Sequence, residues 1–177
     1  GDVNGDGFGD VVIAEFRAAA PLVEEGIVRL YFGCKEGLSR EPSWSAHGGQ
    51  ERMEFGSLVS AVGDVNGDGH DDILVGSQFY DGGAGVEAGA ARLFYGSADG
   101  ASADPVWTHE GSGMNHLFGC MTGGAGDVNG DGFDDMLVGE RQYSDPGRPQ
   151  RGRVLIFYGG RNGPSATPDW EVRGPVS

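Results

Sequence analysis

The sequence has few cysteines, few basic residues and no long hydrophobic run. Its two cysteines, Cys34 and Cys120, stand at positions with no mutual relation, so we expect unpaired thiols rather than a disulfide scaffold. The longest apolar stretches resemble 154–158 in length, and a helix that spans a membrane needs roughly 20 such residues, so membrane insertion is excluded. The chain opens at Gly1 without an initiator methionine or a signal peptide, as we expect of a mature product or a fragment.

The shortage of basic residues makes the chain strongly acidic, but the acidity is local. The net charge is −15, from 27 acidic and 12 basic residues, and this argues against nucleic acid as a partner. Three short segments, 2–10, 64–72 and 127–135, hold 11 aspartates and leave 16 acids against 12 basic residues elsewhere. We therefore expect a cation at three points of the chain.

The abundance of glycine, 35 of 177 residues, accompanies an internal repeat rather than disorder or a collagen period, because 38% of the residues are apolar. The string Gly-Asp-Val-Asn-Gly-Asp-Gly begins at positions 1, 63 and 126. Three further landmarks keep the same order and a spacing of 63 residues. They are Phe55-Gly56 with Phe118-Gly119; the segments 30–33, 93–96 and 156–159; and Trp44, Trp107 and Trp170. Such self-similarity indicates a repeat architecture.

Each repeat predicts short β-strands and no helix. Apolar runs at 11–14, 73–76 and 136–139 follow the acidic segments and are typical of strands buried on both faces. With a strand before the acidic loop and two after this run, each unit has four antiparallel strands. A blade of a β-propeller has the same number. We place the blades at about 1–50 (without its first strand), 51–113 and 114–177, and so expect eleven strands.

The order of Phe-Gly, the acidic loop, an apolar strand and a Gly-x-Val-type strand resembles the FG-GAP repeat, the blade of integrin alpha-subunit heads. The resemblance covers essentially the whole chain, although the first unit lacks its Phe-Gly. It implies an all-β β-propeller, of which about three four-stranded blades are present. The remainder of a six- or seven-bladed propeller, or another copy of the chain, would complete it.

The three acidic loops predict calcium sites, about three Ca²⁺ per chain. Counting each loop from its first aspartate, side-chain oxygens stand at positions 1, 3, 5 and 9, and a backbone carbonyl is available at position 7. Hard oxygen ligands with glycine at position 6 favour calcium over zinc or copper. The predicted ligands are Asp2, Asn4, Asp6, Phe8 and Asp10; Asp64, Asn66, Asp68, His70 and Asp72; and Asp127, Asn129, Asp131, Phe133 and Asp135.

The main rival interpretation of these loops is an EF-hand, which shares the D-x-N-x-D-G spacing. An EF-hand needs a bidentate glutamate at position 12. Position 12 is occupied here by Ile13, Val75 and Val138, each inside an apolar run. The apolar residue at position 12 therefore excludes an EF-hand. A solvated acidic turn without metal remains the alternative.

Two classes of function fit these patterns. The first is a non-catalytic, calcium-binding module, extracellular or at the cell surface, that binds a protein or a glycan; the tryptophans could stack on a sugar, but their equivalent places favour packing between blades. The second is an accessory or catalytic part of a secreted enzyme that degrades polysaccharides or lipids. No nucleotide-binding or nucleophile motif is present, and the glutamates show no paired spacing. We favour the binding module and predict no enzymatic activity.

Overall fold

The computed structural model describes residues 1–19 and 21–175, and within these ranges the chain is all-β with no helix. In particular, no helix of the described residues is long and apolar enough to cross a membrane. Eleven strands of the described chain form three larger antiparallel sheets, and four very short strands form two separate hairpins. An all-β chain of antiparallel sheets was predicted from the repeat, and the structure confirms it.

The first sheet has three strands and the other two have four each, all in consecutive antiparallel pairing. The first contains β1 (Val11–Glu15), β2 (Ile27–Tyr31) and β5 (Trp44–His47); the second contains β6 (Leu58–Gly63), β7 (Asp72–Ser77), β8 (Ala90–Phe94) and β11 (Trp107–Glu110); and the third contains β12 (Phe118–Gly126), β13 (Asp135–Glu140), β14 (Arg153–Phe157) and β15 (Trp170–Arg173). The two hairpins pair β3 (Gly33–Cys34) with β4 (Gly37–Leu38) and β9 (Gly96–Ser97) with β10 (Gly100–Ala101).

The core lies between successive sheets rather than within one of them. Val28 and Leu30 of the first sheet pack with Ile73 and Val75 of the second in one buried cluster. A second cluster joins the second sheet to the third in the same way; its members include Leu74, Leu93, Met136, Val138 and Phe157. Each of the first two sheets therefore buries one face against its successor, as stacked repeats do.

Strand β1 of the first unit, which lies at the edge of its sheet, differs from the prediction. Runs 73–76 and 136–139 are buried almost throughout in β7 and β13, as predicted, but β1 alternates between exposed and half-buried residues. Val11 and Ile13 are 38% and 48% exposed, whereas Val12 and Ala14, on the opposite face, pack against the second sheet. The prediction of burial on both faces was wrong here because no sheet of the described chain covers the outer face of β1.

The tryptophans connect neighbouring sheets, which confirms the packing interpretation for two of the three. Trp44 Nε1 donates to the carbonyl oxygen of Ser102 at 3.0 Å, and its ring meets the Phe94 ring edge-on at 5.1 Å. Trp107 repeats this arrangement on the third sheet, with Ser165 and Phe157. Both cysteines are free, as predicted.

Candidate metal-binding loops

The three acidic loops fold alike, each held by its own aspartate at position 1. In the first loop, Asp2 Oδ1 accepts the backbone N–H of Asp6 at 3.1 Å and Asp2 Oδ2 accepts that of Gly7 at 2.9 Å. Asp64 and Asp127 make the same pair of bonds in the second and third loops. Glycine at position 6 has φ between 88° and 92° in all three, a left-handed conformation that a side chain would strain. The sequence spacing therefore produces three copies of one turn.

The side chains at positions 3 and 5 lie side by side on the solvent side of each turn. Asn4 Nδ2 donates to Asp6 Oδ2 at 2.9 Å, and the other two loops repeat this contact at the same distance. The second carboxylate oxygen at position 5 accepts the N–H of residue 7 in each loop. Positions 1, 3 and 5 thus each place an oxygen in the same exposed turn, and that these oxygens bind a cation stays a prediction.

The aspartate at position 9 lies deeper and holds the loop to the sheet behind it. Asp72 is fully buried; its Oδ2 accepts the N–H of Val65 at 3.0 Å and its Oδ1 accepts that of Gly96 at 2.9 Å. Asp10 and Asp135 have the equivalent two partners. This carboxylate therefore links the start of the loop to the end of the third strand of its unit.

The environment of Asp72 penalises its negative charge. Burial raises the pKa of the carboxyl to about 7; the N–H groups of Gly96 and Val65 oppose this rise, and the nearby carboxylates of Asp68 and Asp64 add to it. A divalent cation among these acids would reverse the repulsion and favour the ionised form. The electrostatics thus suit a loop that holds a cation.

Two observations bear on how well calcium fits. Among the described residues, no three Asp, Glu, His or Cys side chains stand close enough together to hold a metal as they are placed. However, each loop adds an asparagine oxygen and a carbonyl to its carboxylates, and a carboxylate oxygen that accepts one N–H keeps a further lone pair. The donor set is entirely oxygen, which fits Ca²⁺.

The structure adds a contact that the sequence interpretation missed. Asp71, at position 8 of the second loop, accepts the N–H of Asp2 through Oδ2 at 2.8 Å, and its own N–H donates to the Asp2 carbonyl at 3.0 Å. Asp134 holds Asp64 in the same reciprocal way, at 2.9 Å and 3.2 Å. Each of the first two loops is therefore clamped by the next one. The available signal was the doubled aspartate at 71–72 and 134–135, where the first loop has Gly9 before Asp10.

Replacing Asp134 with alanine is expected to lower the free energy of unfolding by about 1–3 kcal/mol, because the half-buried N–H of Asp64 loses its acceptor. Urea denaturation followed by tryptophan fluorescence measures this loss. Asp104→Ala, at an exposed position, is the matched control and is expected to change stability by less than about 0.5 kcal/mol. Equal losses of stability in the two variants would show that the contact between Asp134 and Asp64 does not stabilise the second loop.

Comparison with known proteins agrees with the repeat seen in the fold. The sequence profile of the FG-GAP repeat matches residues 55–94 and 121–157. Integrin alpha-PS5 of Drosophila melanogaster is 30% identical over 150 residues, and Integrin alpha-5 of Xenopus laevis is 30% identical over 152; each match covers 78% of this chain and 14% of the relative. Integrin alpha-PS2 of Drosophila melanogaster is 35% identical over 131 residues, which is 71% of this chain and 9% of that protein. The chain thus spans about one seventh or less of the length of these relatives.

Proposed function

Because this chain is an FG-GAP repeat protein, we propose that it is a calcium-binding, non-catalytic segment of a β-propeller that acts as an extracellular binding or adhesion module for a protein or a glycan. The observation that supports the calcium part is the threefold recurrence of one turn, in which the carboxylate at position 1 and the amide oxygen at position 3 both accept the N–H of the residue at position 5.

The proposed ligands are those at positions 1, 3, 5, 7 and 9 of each loop, with position 7 contributing its carbonyl. Bound calcium would supply the positive charge that offsets repulsion among three carboxylates in each short turn. The chain's own residues do the rest: position 1 closes the turn, position 5 orders residue 7, and position 9 ties the turn to the sheet. On this proposal the ion has a structural role, since all its ligands come from a single loop.

The non-catalytic part rests on the relatives, which are integrin alpha subunits and not enzymes. The alternative, a part of a secreted hydrolase or lyase, has no support from the comparisons. We further propose that each of the three sheets is one blade, within 1–50, 51–113 and 114–177, and that the complete propeller has six or seven blades.

Calorimetric titration of the chelator-treated chain tests the calcium proposal. We expect three Ca²⁺ per chain, and Asp68→Ala and Asp131→Ala are each expected to remove one of them and leave the other two. Asp99→Ala, in a turn outside the loops, is the matched control and should retain all three.

Uptake of fewer than two ions by the unaltered chain would contradict the proposal. So would the loss of an ion from Asp99→Ala alone, because that residue lies far from any acidic loop in the sequence.

A further inference from the structure

Successive acidic loops are in direct contact, and the contact between the first and second loops recurs between the second and the third. It joins positions 1, 2 and 4 of one loop to positions 7 and 8 of the next. At position 8 it is the clamp between Asp71 and Asp2, and between Asp134 and Asp64, in which one aspartate bonds to both the N–H and the carbonyl of the other. The backbone of each position 1 aspartate is therefore held from outside its own loop.

The side chain at position 7 covers the glycine at position 4 of the preceding loop. A β-carbon added to Gly5 would lie 3.0 Å from Cε1 of His70, and one added to Gly67 would lie 2.6 Å from Cε1 of Phe133. Both glycines have a left-handed φ, of 70° and 75°. A larger residue at position 4 would therefore strain its own turn and displace the side chain that covers it.

The backbone at position 2 meets the next loop at a shared glycine. A β-carbon added to Gly96 would lie 2.6 Å from the carbonyl oxygen of Val3, in the first loop, and 2.4 Å from that of Asp71, in the second. Gly159 has the same two kinds of neighbour in the second and third loops, at 2.6 and 2.3 Å. Since Gly96 and Gly159 follow the third strand of their units, two successive loops converge on one point of each sheet.

The clamping residue stands between two proposed ligands of its own loop. In the second loop the carbonyl of His70 and the carboxylate of Asp72 are proposed ligands, and Asp71 lies between them. Asp72 is fully buried, and its carboxylate accepts two backbone N–H groups. Because the peptide bond that joins Asp71 to Asp72 is planar and stiff, the two residues cannot be positioned independently.

The residue that receives the clamp organises the preceding loop. Asp2 accepts the N–H groups of Asp6 and Gly7, so the position of its backbone decides where the first turn closes. Asp2 and Asp6 are both proposed ligands. Ligands that are already in place lose less conformational freedom when they bind, and the affinity is higher for that reason. The second loop thus preorganises the first, and the third preorganises the second.

We infer that the acidic loops bind calcium as coupled neighbours, each loop positioning the ligands of the loop before it through its residues at positions 7 and 8. Occupation of the second loop fixes residues 70–72 and raises the affinity of the first loop; the third loop acts on the second in the same way. Coupling between two binding sites is reciprocal, so occupation of the first loop raises the affinity of the second by the same factor. Asp71 and Asp134 are positioning residues and do not themselves bind the ion. The inference rests on the proposed calcium sites and adds how they regulate one another.

Calcium titrations followed by ¹H–¹⁵N nuclear magnetic resonance test the coupling, because each loop has its own reporter. The N–H groups of Gly7, Gly69 and Gly132 each donate to the position 1 carboxylate of their own loop, so their signals report the occupation of the three loops separately. Asp71→Ala is expected to weaken calcium binding at the first loop about fivefold or more, and to leave binding at the third loop nearly unchanged. Asp71→Asn, whose amide oxygen can accept the same hydrogen bond, is expected to recover most of that loss.

Asp68→Ala tests the coupling without altering the clamp itself. Asp68 is a proposed ligand at position 5 of the second loop, so its removal empties that loop. The first loop is then expected to bind calcium about fivefold more weakly, and Asp6→Ala is expected to weaken binding at the second loop by the same factor. Asp99→Ala, at an exposed position outside the loops, is the matched control and leaves all three affinities unchanged.

The possible results separate the coupling from the calcium sites on which it rests. No calcium-dependent shift at any of the three glycines of the unaltered chain would contradict the sites and, with them, the coupling. Shifts at all three glycines, with affinities that neither Asp71→Ala nor Asp68→Ala changes, would leave the sites in place and overturn the coupling alone. Equal weakening by Asp71→Ala and Asp71→Asn would also overturn it, because the lost charge and not the lost position would then set the affinity. The Gly132 signal shows whether each variant is folded, and Asp68→Ala carries the test if Asp71→Ala is not.

Discussion

Phe118→Ala is expected to lower the free energy of unfolding by about 3–5 kcal/mol, among the largest losses that one substitution can cause. Phe118 is fully buried between the second and third sheets, and its ring centroid lies 5.2 Å from that of His109. Alanine leaves a cavity that the surrounding glycines, Gly89 and Gly111, cannot fill, because their backbones are already in contact with residue 118. Urea denaturation monitored by circular dichroism measures the change.

Phe16→Ala is the matched control for this substitution. Phe16 is 42% exposed, and the Arg17 guanidinium lies 5.6 Å from its ring centroid, so the loss of this ring is expected to cost less than about 1 kcal/mol. If both variants lost the same stability, the Phe-Gly pair would not be the main connection between sheets.

Removing calcium with excess chelator is expected to lower the melting temperature by about 5–10 °C for each site that the proposal assigns. A ligand that binds only the folded chain stabilises it by about 2.7 kcal/mol at a hundredfold excess over its Kd, and 1 kcal/mol corresponds to about 2–4 °C in a chain of this size. Differential scanning calorimetry with and without chelator measures the shift. The triple variant Asp6→Ala, Asp68→Ala, Asp131→Ala is expected to melt at the same temperature in both conditions.

The same calorimetry at several pH values tests how the calcium-dependent rise in melting temperature changes with pH. Since burial raises the pKa of Asp72 from 3.8 to about 7, the folded metal-free chain holds this proton more tightly than the unfolded chain does. The stability that the proton contributes is complete below pH 3.8 and is lost as the pH rises through about 7. Calcium should therefore raise the melting temperature more at pH 8 than at pH 5, because it favours the ionised carboxylate and competes with protons at low pH. A larger calcium effect at pH 5 would contradict this account.

The strands could be predicted well because the sequence pattern of each one occurs two or three times along the chain. The apolar runs, the Phe-Gly pairs and the tryptophans all keep a spacing of 63 residues, and each landmark became a strand or an intersheet contact. The three acidic loops fold into the same turn, as their identical spacing indicates. Whether they hold calcium stays a prediction.

What the sequence did not predict depends on neighbours rather than on the unit itself. Asp71 and Asp134 clamp the preceding loop, yet within their own unit they are only one more acid in an acidic turn. The exposure of Val11 and Ile13 has the same origin, since their strand has the apolar pattern of β7 but no sheet on its outer side. The sequence pattern of one repeat predicts the strands and turns of that repeat. Which surface lies against it is known only from the fold.

The tryptophan contacts all point in one direction along the chain: Trp44 donates to the second unit and Trp107 to the third, each to a serine carbonyl 58 residues later. Such head-to-tail contacts are heterologous, so one unit's donor surface always meets the next unit's acceptor surface and never its own kind. A unit could then be duplicated or deleted without creating a new type of junction. Only the rotation between successive units, and not any pairwise affinity, decides at which number of units the series closes into a ring.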